Sequence, residues 1–168
     1  MALLAGCGGG EKPKQPLPSA PPTLRLESPA FHDGGSIPKR FTCDGEGSSP
    51  PLRWSRIPRG ASGFALIVED RDADRFVHWA LLGIPSSARA LREGGIPGGA
   101  VEAKNSFGKR GWGGPCPPEG DGPHRYVFAL YALRHPVRLG GDASPDEIRT
   151  AVGKAALARG VLTGRYDR

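Results

Sequence analysis

Gly111-Trp112-Gly113-Gly114-Pro115-Cys116-Pro117-Pro118 runs on through Gly120-Asp121-Gly122 into Pro123-His124-Arg125-Tyr126. The stretch is too rich in Gly and Pro to be helix, and Pro cannot donate to a central sheet ladder. It feeds directly into Tyr126-Val127-Phe128-Ala129-Leu130-Tyr131-Ala132-Leu133, an apolar and aromatic run that suits a buried strand. Long irregular loops are uncommon in compact domains and usually functional, and a loop at the mouth of a rigid strand is where binding residues sit. A site is expected there.

The segments on either side read as short strands. Thr23-Leu24-Arg25-Leu26 alternates polar with apolar, and Arg40-Phe41-Thr42-Cys43 and Leu52-Arg53-Trp54 flank the turn cluster at residues 44–51. Gly63-Phe64-Ala65-Leu66-Ile67-Val68 is continuously apolar, as is most of Phe76-Val77-His78-Trp79-Ala80-Leu81-Leu82, so both suit strands covered on two faces. Ser144-Pro145-Asp146-Glu147 predicts a capped helix, with Ile148, Ala151, Val152 and Ala155 on one face and Gly160 closing the end. Val161-Leu162-Thr163-Gly164-Arg165-Tyr166 reads as a closing strand. Short strands between turns with one late helix predict a mainly β fold, a β-sandwich with helical decoration.

At 168 residues the chain has the length of one domain with a real core. Its net charge of +6 favours anionic partners. There is no basic block, no interleaved aromatic platform and no zinc spacing, which argues against nucleic acid as a partner. No run is long enough to cross a bilayer. Leu4-Ala5-Gly6-Cys7 is similar to the lipobox of bacterial lipoproteins, in which the Cys is lipidated. Six residues precede Cys7, fewer than a full leader needs, so the match marks either a truncated leader or chance. Residues 8–22, with Gly-Gly-Gly and repeated Pro, read as an extended disordered tether about 40 Å long. Residues 1–22 are thus assigned to leader and tether and 23–168 to the folded domain. Export would permit a disulfide between Cys43 and Cys116, although sequence does not show that they meet.

Three polar clusters adjoin the apolar strands: the acidic run from Glu69 to Asp74, His78 within a strand, and His124 at the start of another. Each taken singly is what a solvated turn or a satisfied core histidine looks like. Together, two imidazoles can donate to an anion, and Gly113-Gly114 can form a backbone nest for it. An Asp beside an anion must orient a His or meet a cationic part of the ligand, and a zwitterion with phosphate and ammonium satisfies both demands. The four histidines show no metal-ligand spacing, and no cofactor motif is present. A thiol triad of Cys116, His124 and Asp70 is an alternative that needs a reduced Cys116, and no Gly-x-Ser-x-Gly elbow accompanies it.

Asp70-x-Asp72-Ala73, His78-Trp79, Gly114-Pro115-Cys116-Pro117-Pro118 and Gly122-Pro123-His124-Arg125-Tyr126 together resemble the phosphatidylethanolamine-binding protein family, in its bacterial Raf-kinase-inhibitor-like branch. The likeness extends to Phe41-Thr42-Cys43-Asp44-Gly45, Ser49-Pro50-Pro51-Leu52-x-Trp54, Asn105-Ser106-Phe107-Gly108 and Gly164-x-Tyr166-x-Arg168. It implies a Greek-key β-sandwich of two sheets with a small anion pocket, here Asp70, His78, Gly114, Pro115, His124 and Tyr126. Asp72, Arg125 and Trp112 would support it, with Asp72 and Arg125 paired. The resemblance implies a non-catalytic binder of phosphate-bearing headgroups or related anions. Inhibition of a protein kinase or protease through residues 113–121 is the runner-up. Arg71 and Asp74 stand where the family has proline, which puts the aim of Asp70 and Asp72 in question.

Overall fold

The computed structural model describes residues 14–168. Residues 1–13, with Cys7 and the lipobox-like segment, lie outside the described residues. Two sheets form the frame. The smaller is built from β1 (Arg25–Glu27), β2 (Leu52–Ser55) and β5 (Ala90–Leu91), in the order β1-β2-β5. The larger is antiparallel, in the order β6-β4-β3-β7-β8. Its strands are β3 (Gly63–Asp70), β4 (Phe76–Pro85), β6 (Val101–Glu102), β7 (His124–Leu133) and β8 (Ala156–Tyr166).

β3 and β7 are buried on both faces, as their unbroken apolar sequences require. Their alternate residues face two different cores. Leu66, Val68, Tyr126, Phe128 and Leu162 pack toward the small sheet with Trp54 and Trp79. Ala65, Ile67, Ala129, Tyr131 and Leu133 pack the other way, under the helix α1 (Pro145–Ala155). α1 starts as expected: the Ser144 hydroxyl accepts from the Glu147 amide, and the Glu147 carboxylate accepts from the Ser144 amide at 2.8 Å.

Two local expectations are corrected. The helix does not run to Gly160. It ends at Ala155, and β8 begins at Ala156 and pairs along β7 from Ala156 to Tyr166. The apolar residues after Ala155 fit either period, and the open edge of β7 supplies the hydrogen bonds that decide for strand. Gly160 lies where a Cβ would come within 2.8 Å of the Leu24 carbonyl, so it serves close approach rather than helix termination. Arg40-Phe41-Thr42-Cys43 is not a strand either. Lys39–Phe41 is a single 3-10 turn, and both the amide and the hydroxyl of Thr42 donate back to the Lys39 carbonyl.

The stretch read as a free tether is docked from Lys14 onward. It carries no helix or strand, yet Leu17 and Ala20 pack on the outer core. The Pro18 carbonyl accepts from the Tyr131 hydroxyl at 3.0 Å, and the Pro21 carbonyl accepts from the Arg159 amide at 2.8 Å.

Candidate functional site

The ends of β3, β4 and β7 bring four of the expected residues together. Asp70 pairs with Tyr126 in register, and His124 opens β7 two residues earlier. In β4 the pairing slips: Val68 faces Trp79 and Glu69 faces Val77, so His78 has no opposite number. This bulge turns His78 toward Tyr126, with ring centroids 5.1 Å apart. Asp70, His78, His124 and Tyr126 are all buried.

His124 lies between two carboxylates. Its Nδ1 donates to Asp70 at 2.7 Å and its Nε2 to Asp121 at 3.1 Å. Carboxylates only accept, so acceptors on both sides favour the doubly protonated ring. Burial works against that charge, but the hydrogen bonds to Asp70 and Asp121 outweigh it and raise the His124 pKa above its ordinary value. His78 is the reverse. Burial lowers its pKa, and the hydrogen bond to the Gly113 carbonyl offsets this only in part. Because that carbonyl, 2.7 Å from Nδ1, must accept, the neutral ring carries its proton on Nδ1 and presents Nε2 as an acceptor. The rings of Phe76 and Phe107 complete its surroundings, each 5.4 Å away. The site therefore holds one cationic donor and one neutral acceptor, rather than two equivalent donors.

The Tyr126 hydroxyl is buried and has no hydrogen-bond partner among the described residues. Burial first, and then the Asp70 charge, push its pKa far up, so it stays a protonated donor. An unsatisfied buried hydroxyl is costly and calls for an explanation such as a ligand.

The glycines act differently from the expected nest. Neither Gly113 nor Gly114 has positive φ, and the Gly113 amide is spent on the His78 carbonyl at 2.9 Å. A Cβ on Gly113 would strike Phe107 at 2.5 Å, and one on Gly114 would meet the Phe41 carbonyl at 2.9 Å. These residues let the loop lie flat against its neighbours. Pro115 is buried and its carbonyl accepts from the Cys43 amide at 3.1 Å. Cys43 and Cys116 are joined by a disulfide, which takes up the thiol that the Cys116 triad requires. Tyr166 donates to Asp44 and Arg168 pairs with it, so the C-terminal motif braces the same corner. Trp112 donates to the Phe41 carbonyl at 3.1 Å and stacks on Phe128.

The two missing prolines have physical reasons. The Arg71 amide donates to the Arg125 carbonyl at 3.0 Å, a bond that proline cannot make. Asp74 has φ of 48°, which a proline ring forbids. The Asp72 amide donates to the Asp70 carboxylate at 2.9 Å. Asp72 accepts from the Arg125 amide at 2.7 Å and from its guanidinium at 2.6 and 3.0 Å. Asp121 and Phe107 were not singled out from sequence. The signal for Asp121 was an acid three residues before His124, between two glycines with φ of 80° and 86°.

A mainly β, two-sheet frame thus carries a histidine–carboxylate cluster at its strand ends. The chain belongs to the phosphatidylethanolamine-binding protein family, whose pattern residues 27–167 match. It is 38% identical over 185 residues to a Mycobacterium tuberculosis protein named "Putative lipoprotein LppC", covering 99% of this chain and 91% of that one. It is 41% identical over 152 residues to a UPF0098 protein of Methanothermobacter thermautotrophicus, covering 86% of this chain and 99% of that one. Among solved structures, Escherichia coli YbcL, described as a member of the mammalian PEBP family, is 29% identical with a TM-score of 0.83. That match covers 87% of this chain and 99% of YbcL.

Proposed function

We propose that the protein binds a small phosphate-bearing anion, free or as a headgroup, at Asp70, His78, His124 and Tyr126, and does not turn it over. The partnerless buried hydroxyl of Tyr126, flanked by both imidazoles, carries this reading. Protonated His124 and Tyr126 supply donors to phosphate oxygens, and His78 Nε2 accepts from a P–OH or an ammonium. Gly114 and Pro115 act at one remove, by holding the loop against residues 41–43. Asp121 occupies the His124 Nε2 donor, so an arriving oxyanion takes over that one hydrogen bond from the carboxylate. Export and lipid attachment at Cys7 accompany the proposal, supported by the disulfide and by the lipoprotein name of a relative.

Calorimetric titration with inorganic phosphate and with phosphoethanolamine tests it. Wild-type protein should bind at least one of them, His124→Ala should lose binding, and Tyr126→Phe should weaken it about tenfold. Affinity should persist above pH ~6.5 and fall as pH rises through the raised His124 pKa. Absence of binding by the wild type at all pH values sinks the proposal.

A further inference from the structure

The opposite face of the same strands carries a second feature. A cavity of about 750 Å³ lies between the docked N-terminal segment and the outer face of β3, β7 and β8. Arg71, Arg75, Arg125 and Arg159 line it, against a single carboxylate among the described residues, Glu69. Glu69 is taken by the buried guanidinium of Arg149 at 2.9 Å, and Arg125 is taken by Asp72. Arg71, Arg75 and Arg159 have no carboxylate partner among the described residues. Among the described residues the Arg75 guanidinium donates to the Lys14 carbonyl at 3.2 Å and that of Arg159 to the Pro18 carbonyl at 3.4 Å. The Arg159 Nε is buried without a partner among the described residues. Guanidinium forks match phosphate and carboxylate oxygens in geometry as well as charge, and an unpaired cluster in a concavity raises local anion concentration. Leu17, Leu24 and the exposed Val161 add an apolar side wall.

We propose that this cavity is a second binding site, taking a phosphate group attached to a short apolar portion through Arg71, Arg75 and Arg159. It is separate from the histidine cluster, because neighbouring residues of one strand point to opposite faces: Asp70 and Tyr126 go one way, Glu69 and Val127 the other. The docked segment forms the rim of the cavity, so occupancy should also tighten residues 14–22 on the sheet.

Arginine Nε–H resonances, followed as the full chain is titrated with inorganic phosphate at constant ionic strength, place the binding event directly. Saturable shifts at Arg71, Arg75 and Arg159 are expected, and they should survive in His124→Ala. Arg71→Gln/Arg159→Gln should weaken them about tenfold or more. Arg71→Gln alone, at an exposed residue outside the cores, keeps the test readable if the double variant misfolds. Vesicles of phosphatidylglycerol that displace phosphate would identify a lipid headgroup as the source, and no displacement would identify a soluble phosphate compound. Shifts that fail to saturate, or that chloride reproduces, overturn the proposal. Loss of arginine shifts with retained histidine binding would sink this site alone, and the converse would sink only the histidine site.

Discussion

The two faces at the ends of β3 and β7 use alternate residues of the same few positions, and they treat charge in opposite ways. On the inner face, the charge on His124 is met by Asp70 and Asp121, and His78 is kept neutral by burial. On the outer face, three arginines stand around a cavity with no carboxylate partner among the described residues. The inner face fixes its polar groups through specific hydrogen bonds. The outer face attracts anions by unbalanced charge and sets fewer geometric conditions. Specific hydrogen bonding and long-range attraction, often blended in a single pocket, are here separated by the thickness of one sheet.

The largest expected effect tests what holds the two faces apart. Arg149, buried like its partner, donates to Glu69 at 2.9 Å and to the Arg75 carbonyl. Arg149→Ala leaves Glu69 buried and unpaired, and should cost about 3–5 kcal/mol in urea unfolding. Adding Glu69→Gln should recover part of that loss. A single variant as stable as wild type would show that the outer face does not depend on this pair.

Removing the disulfide comes next. It closes a loop with a sequence separation of 73, and Cys43→Ala/Cys116→Ala should lose about 2–4 kcal/mol. The loss should be accompanied by weaker phosphate binding at the histidine face only, because Pro115 and Gly114 lean on residues 41–43. Equal weakening at both faces would argue that the effect is global.

The smallest effect sharpens the inner face. Asp121 is an exposed acid on a glycine-flanked turn. Asp121→Asn should strengthen phosphate binding about fivefold or less, since surface pairs are worth little. It should also change the pH dependence of stability. A histidine with a raised folded pKa contributes stability that is fully present below ~6.5 and lost as pH rises through the folded value. The alkaline decline of melting temperature attributable to His124 should therefore be smaller and be complete at a lower pH in Asp121→Asn. An unchanged profile would mean that Asp70 alone sets the charge of His124.

Much of this was legible in the sequence. The apolar runs gave β3, β4 and β7, the Ser-Pro-Asp-Glu box gave the start of α1, and the spaced motifs gave the family and the meeting of Asp70, His78, His124 and Tyr126. What was hidden depends on third dimensions that periodicity does not carry. The end of α1 was decided by the free edge of β7, and the turn at Lys39–Phe41 by its packing against the disulfide loop. The unlike states of the two histidines follow from which carbonyl or carboxylate each one meets. The arginine cavity was invisible because Arg71, Arg75, Arg125 and Arg159 are scattered over 88 positions and meet only through register.

The docking of residues 14–22 has a mechanical consequence. With that length of chain pinned to the sheet, the stretch left between Cys7 and Lys14 spans at most about 25 Å. A lipid at Cys7 would then be a short mooring rather than a long line. Because the pinned segment borders the cavity, such a mooring would join the domain beside its arginine side.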